Sequence, residues 1–515
     1  MTIRAEDAAL PEALTRRARE DGKRPALLWR DRVLTWGELE DGAARVAGGL
    51  GSRGVEVGDI VALASPNLPE LLVLYFAVQK LGATALLLNL MLSPAELGQI
   101  LADARPCAVA YAAPLGPLVS RVLGARASAG DGRPDADLLR IVLGGTAPGA
   151  VTLTELAGGG KATERAVDPE STSTLLYKAG ADGVPRGVML THGSLLHQGA
   201  MGSIGLEMTP ADRTLLVLPN YHVFAIGVAV QTMLHSGGSL LLMERFEPEG
   251  ALRALEEHRA TILYGVPTMY AMMLRQATQG QAFPDSLRVA ICGAAPLPVE
   301  VAERFRAGFG VEILEGYGLT EASGATAVNP WYGPVKPGTI GIAIPGNEMR
   351  VVGEAGRAVP VGERGELVVR GPNVMKGYLR RPDATAAALR DGWLHTGDIG
   401  SVDGDGYFTV HARKNDLIIV GGENVYPSEV EAVLREHPSV REVGVVGVRH
   451  GLMGEVPEAF VVERAGAHVD AGELVAVARE RLAKFKVPRT IHVVKELPLD
   501  DAGRVVRSAL ASGTR

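Results

Sequence analysis

The chain has 515 residues, with 52 Lys plus Arg against 59 Asp plus Glu and a formal net charge of −7. That balance leaves no basic footprint for nucleic acid or an anionic membrane, and 47% hydrophobic residues is too many for a disordered chain. Its 64 glycines and 31 prolines make up about 18% of the chain, against a globular norm of roughly 12%. Glycine goes where backbone turns sharply or approaches a ligand closely. The length suggests about three domains or subdomains. Two cysteines, Cys107 and Cys292, lie too far apart for metal-ligand spacing, so neither a disulfide framework nor a zinc site is expected. This suits a reducing cytosol. The N-terminus is polar and acidic, unlike a signal peptide.

In chain order, residues 39–50 read as an amphipathic helix and 59–64 as a strand ending in a Ser65-Pro-Asn67 turn. A helix over 70–81, a strand over 83–88 and a helix over 93–104 with a Ser93 N-cap follow. The apolar run 71–92 is broken by Gln79, Lys80 and Asn89, so it reads as buried helix plus strand, not a membrane span. Residues 124–137, rich in Gly, Ala, Asp and Arg, read as a surface loop. Short apolar runs at 214–218, 239–242, 261–264 and 288–292 continue the alternation. Strands alternating with helices predict an α/β fold with parallel sheets covered on both faces. Runs at 349–352 and 366–370, then a hairpin over 404–410, predict a small β subdomain. Helix over 427–437, strands over 440–448 and 459–463, and helix over 473–482 suggest a C-terminal domain of about 100 residues. The expected domains are 1–414 and 415–515, with the boundary at Asn415.

Five segments carry chemistry. Tyr177-Lys-Ala-Gly-Ala-Asp-Gly-Val-Pro-Arg-Gly-Val188, leading to His192, is a Gly-rich turn whose backbone N–H groups could cradle phosphates; alone, an ordinary turn is the commoner explanation. In Leu218-Pro-Asn-Tyr-His-Val-Phe224, His222 by itself reads as a satisfied core histidine. Gly293-Ala-Ala-Pro-Leu-Pro298 offers small residues at a strand end. Glu315-Gly-Tyr-Gly-Leu-Thr-Glu321 adds the stacking face of Tyr317 and a hydroxyl and carboxylate, Thr320 and Glu321, suited to phosphate and Mg²⁺. Trp393-Leu-His-Thr-Gly-Asp398, with Arg413 beyond, offers a carboxylate for ribose hydroxyls. The tail Leu497-Pro-Leu-Asp-Asp-Ala-Gly-Arg504 places a cation on a loop.

In this order the set resembles the adenylate-forming superfamily of acyl-CoA synthetases, aryl-CoA ligases, adenylation domains and luciferase, over nearly the whole chain from Leu34-Thr-Trp-Gly-Glu-Leu39 to Arg504. The resemblance implies a large N-terminal domain of two α/β subdomains and a small β subdomain, plus a mobile C-terminal α+β domain. It implies activation of an apolar aliphatic or aryl carboxylate with MgATP to acyl-AMP, then transfer to CoA, a carrier protein or another nucleophile. Gly180, Gly183 and Arg186 would face the phosphates; Gly293, Ala294, Ala295 and Tyr317 would sandwich adenine. Thr320 would touch phosphate, Glu321 would hold Mg²⁺, and Asp398 with Arg413 would bind ribose. His222 would stand between the acyl pocket, lined by 223–230, and the CoA tunnel; Gly421 and Gly422 would serve thioester formation; Asn415 would be the hinge.

The sequence departs from the family at the phosphate loop, where hydroxyl positions carry Lys178, Ala179, Ala181 and Asp182, and Arg186 replaces a lysine. Lys178 is expected to offset the charge of Asp182. Arg504 replaces the tail lysine that bridges carboxylate and α-phosphate; it keeps the charge but is a bulkier planar fork. Two alternatives stay open at this point: a repurposed member transferring acyl groups, condensing or forming amides without ATP, and a non-catalytic acyl- or nucleotide-binding protein.

Overall fold

The computed structural model describes residues 8–128, 138–162, 165–179, 185–277, 285–413, 416, 418–420, 423–450, 453–482, 484–500 and 503–512. Two compact units emerge, one from Met1–Met349 and Val369–Leu394, the other from Arg350–Val368 and His395–Arg515. Asn415 and the central loop residues Gly180 to Gly183 lie outside the described residues, as do Gly421 and Gly422.

The first unit holds two mostly parallel sheets. One has nine strands in the order Ile342–Ala343, Gly324–Val328, Ile313–Leu319, Val289–Cys292, Ile262–Gly265, Arg213–Leu216, Ser239–Leu242, Pro25–Trp29 and Arg32–Thr35. Its five inner pairings are parallel, and antiparallel strands close both edges. The other has eight strands, Gly377–Tyr378, Pro185–Thr191, Thr172–Ala179, Thr84–Leu87, Ile60–Ala64, Ala108–Ala112, Leu139–Leu143 and Val151–Thr152. Strands Thr84–Leu87 and Ala108–Ala112 are buried at every position, the mark of strands covered on both faces.

Local signals agree. Helix Trp36–Gly51 opens on a Thr35–Glu38 capping box and helix Pro94–Ala104 on a Ser93–Glu96 box, each satisfying two orphan N–H groups. The apolar run forms helix Pro69–Lys80, ten of whose residues are buried, followed by strand Thr84–Leu87. Among the described residues no helix is long and apolar enough to cross a membrane. One expectation fails: helix Gly116–Ser128 runs through the first part of the expected 124–137 loop. Alanine and arginine there are strong helix formers, and their weight outdoes the neighbouring glycine.

The second unit contains the pairing of residues 398–402 with Phe408–Arg413, and a sheet in the order Glu423–Val425, Ile418–Val420, Gly454–Glu463, Val440–His450, with Thr490–Val494 parallel to Gly454–Glu463. Helices Pro427–Arg435 and Ala471–Arg481 cover this sheet, burying Val430, Leu434, Leu474 and Ala478 against Val443, Val445 and Val461.

Candidate functional site

In the first unit, strand Val289–Cys292 delivers Gly293 to Ala295 at its carboxyl end, where ligands bind in open α/β sheets. Gly293 is buried, and a Cβ there would stand 3.2 Å from the Phe224 ring. Ala294 is exposed with φ +70°, a left-handed conformation that a residue with a Cβ adopts at a cost. Next in the sheet, Ile313–Leu319 carries half-buried Tyr317, and a 3₁₀ turn, Thr320–Ala322, follows. Here a glycine is obligatory: a Cβ on Gly318 would lie 1.7 Å from the Gly324 carbonyl oxygen.

Glu321 is the electrostatic centre of this turn. It is 3% exposed, and its Oε1 accepts hydrogen bonds from Tyr378 Oη at 2.6 Å and Lys178 Nζ at 2.9 Å. Burial opposes its ionisation, but the Lys178 charge and the bonds from Tyr378 and Lys178 outweigh it and hold the carboxyl below the usual range. Glu321 Oε2 is buried without a hydrogen-bond partner. As arranged, then, one oxygen is taken twice, and the other is buried with no hydrogen-bond partner. No group of three or more His, Cys, Asp or Glu side chains suited to a metal occurs among the described residues.

The hairpin Thr172–Ala179 and Pro185–Thr191 places these partners. Lys178 lies opposite Arg186, and Tyr378 pairs beside Val188 on the adjoining strand. Alternation sends Tyr177 the other way, where its Oη donates to Asp103 at 2.6 Å. Arg186 sits over the Tyr378 ring, 5.7 Å from its centroid, within cation–π range. Lys178 thus pairs with Glu321; Asp182, whose charge it was expected to offset, lies outside the described residues.

His222 is exposed, not the satisfied core histidine its isolated reading suggested. It begins the turn leading into a π-helix, Phe224–Ala229, and its ring centroid lies 4.8 Å from that of Tyr221, the two rings tilted at 58°. The turn is anchored from beneath by Asn67. Its Nδ2 donates to the carbonyls of Leu218 and Met243 at 2.9 and 3.1 Å, and its Oδ1 accepts from the backbone N and Nδ2 of Asn220.

In the second unit, Asp398 and Arg413 are direct partners across an antiparallel ladder. Half-buried Asp398 follows Gly397, whose φ is +74°. Gly397 N donates to Glu366 Oε1 at 3.2 Å, and Thr396 Oγ1 accepts from Asp398 N at 3.0 Å while donating to the Leu367 carbonyl. Arg504 is exposed on a tight turn closed by a Leu499–Val505 bridge, its Nε 2.8 Å from Asp500 Oδ2. Asp500 therefore braces the tail cation within its own turn.

Sequence reasoning missed Tyr378 and Asn67. The first lies 57 positions beyond Glu321 and reaches it only through strand pairing. The second carried a turn signal, Ser65-Pro-Asn67, which its buried hydrogen bonding outranks.

Residues 14–379 match the family profile described as AMP-binding enzyme, and residues 429–504 match that of the AMP-binding enzyme C-terminal domain. The chain is 37% identical over 494 residues to a feruloyl-CoA synthase of an Amycolatopsis species, covering 96% of each chain. Among solved structures, ATP-bound MatB from Rhodopseudomonas palustris is similar at a TM-score of 0.87 and 32% identity, covering 98% of this chain and 99% of that one. The o-succinylbenzoate CoA synthetase MenE from Bacillus subtilis, in complex with ATP and a magnesium ion, is similar at 0.83 and 31% identity, over 97% of this chain and 98% of that one. A fold of two mostly parallel sheets, matched along nearly its whole length, shows that this chain belongs to the AMP-binding enzyme family.

Proposed function

We propose that the protein is an ATP-dependent acid–CoA ligase that activates an apolar aryl or aliphatic carboxylate as its acyl-adenylate and passes the acyl group to CoA. The observation that carries this reading is the turn Thr320–Ala322, which sets a hydroxyl and an ionised, buried carboxylate one strand away from the small residues Gly293 to Ala295.

In the first half-reaction, a substrate carboxylate oxygen attacks the α-phosphorus of ATP, and pyrophosphate leaves. Charge builds on the phosphoryl oxygens, so the protein's task is positioning and electrostatic stabilisation. Gly293, Ala294, Ala295 and Tyr317 would hold adenine, and Asp398 with Arg413 the ribose. Thr320 and Arg186 would meet phosphate, and Arg504 would bridge carboxylate and α-phosphate. Gly180 and Gly183 would supply backbone donors. In the second half-reaction, the CoA sulfur attacks the acyl carbonyl and AMP leaves, with His222 beside the acyl group and Gly421 and Gly422 on the CoA side. A carrier-protein thiol is a second acceptor of the same chemistry. Magnesium, bound with ATP in one solved neighbour, belongs to the same proposal as charge carried in by the triphosphate. The apolar segment 223–230, whose residues 225–230 are buried, favours an acid without a charged side chain. Cys107 and Cys292, neither in a disulfide, and a need for ATP and CoA fit a cytoplasmic enzyme; Asn415 would be its hinge.

The test is incubation with ATP, CoA and a panel of aryl and aliphatic acids, with thioesters read by mass spectrometry. A thioester with at least one apolar acid is expected. Thioester formation that is unchanged in Asp398→Ala would overturn the assigned nucleotide site.

A further inference from the structure

Lys178 stands at a position where the family carries a hydroxyl, and its ammonium is 2.9 Å from Oε1 of Glu321. The two ends of this pair differ sharply in accessibility: the Lys178 side chain is 42% exposed and that of Glu321 only 4%. The carboxylate is thus a buried anchor and the ammonium a cation presented at the rim. Tyr378 pins the same oxygen from the other side at 2.6 Å. Mg²⁺ demands oxygen ligands at about 2.0–2.1 Å in near-octahedral array. It cannot share an oxygen already bearing an ammonium and a phenol hydroxyl without expelling the ammonium, and charge repulsion adds to the cost. An ammonium is a compact point charge with three donors; one contact with Glu321 leaves donors to spare for a phosphate.

We propose that Lys178 is a protein-supplied cation held at Glu321, taking the place beside that carboxylate that a divalent ion would need. A nucleotide phosphate meets Lys178 there, and ATP binding depends only weakly on a divalent ion. The inference rests on the adenylate-forming reading for its ligand, but its first measurement needs neither turnover nor nucleotide.

The first measurement is Mn²⁺ binding to the full chain by electron paramagnetic resonance, for wild type, Lys178→Thr, Lys178→Arg and the double variant Lys178→Thr/Glu321→Gln. Lys178→Thr should bind Mn²⁺ about tenfold or more tighter than wild type, because a buried carboxylate has lost the ammonium beside it. Lys178→Arg should behave as wild type, and the double variant should lose the gain. Equal Mn²⁺ affinity in wild type and Lys178→Thr overturns the proposal. Thermal melting guards against a folding artefact: Lys178→Thr should melt lower than wild type and recover with Mn²⁺. If Lys178→Thr does not fold, wild type and Lys178→Arg carry the test in the second measurement, ATP titration calorimetry in EDTA and in Mg²⁺. There both should change affinity by less than about threefold, against a much larger loss expected where metal bridges carboxylate and phosphate. Wild-type ATP binding abolished by EDTA overturns the proposal. Absence of ATP binding in either buffer refutes the adenylate reading instead, and the Mn²⁺ comparison still decides the role of Lys178.

Discussion

Replacing Glu315 by Gln should stabilise the protein, and the gain should grow with pH. Glu315 is 8% exposed, and its Oε1 accepts one hydrogen bond, from Leu297 N at 3.1 Å. Burial raises its carboxyl from 4.5 to about 7, against the opposing pull of that bond. Below pH 4.5 the group is protonated in both the folded and unfolded chain and contributes nothing. Between 4.5 and 7 the unfolded chain releases its proton first, so native stability falls. Above 7 the full cost is present, about 3 kcal/mol for a displacement of this size. Glutamine keeps the acceptor for Leu297 and has no proton to lose. Urea unfolding of wild type and Glu315→Gln should therefore coincide near about pH 4 and separate by up to about 3 kcal/mol near about pH 8. Titration of other groups is common to both proteins and cancels in the difference. A constant offset across that range would refute the reasoning, because it would mean that Glu315 does not titrate differently in the folded state.

His192 should show the opposite window. Burial lowers it from 6.5 to about 4, so its contribution is full above 6.5 and is lost, by about 3 kcal/mol, as pH falls to 4. His192→Asn keeps an acceptor for Leu10 N and should flatten that acid loss in the same urea experiment; an unchanged slope would contradict it. Gly318→Ala should cost about 1–3 kcal/mol or more, since the strand must part from Gly324, and should weaken ATP binding in calorimetry through the adjoining Thr320–Ala322 turn. Asn67→Ala strips the anchor from the turn before His222 and should cost at least about 3 kcal/mol from stranded buried polar groups. It should raise the KM for CoA more than that for ATP; equal effects on both would deny His222 its place.

The alternation of apolar runs with amphipathic helices was enough to read the α/β architecture, because strands such as Ala108–Ala112 are buried on both faces and carry no polar position to confuse the period. The site was legible where chemistry is contiguous in sequence, as in the Thr320–Glu321 turn, and where a ladder faces two residues across a hairpin, as with Asp398 and Arg413. It was not legible where the fold joins distant segments. No local signal says that Lys178, 143 positions before Glu321, ends 2.9 Å from it, or that Tyr378 takes the same oxygen. His222, which in isolation reads as a core histidine, is instead exposed in the turn before the π-helix, a placement set by tertiary context. The tail cation was expected on a loop, and Arg504 is exposed on a turn where it also pairs with Asp500.

ATP–pyrophosphate exchange, measured across a panel of carboxylic acids without CoA, isolates the first half-reaction and tests the account most directly. Exchange should depend on an added apolar aryl or aliphatic acid and be lost in Asp398→Ala. No exchange with any acid, together with turnover of an acyl thioester in nucleotide-free buffer, would contradict it.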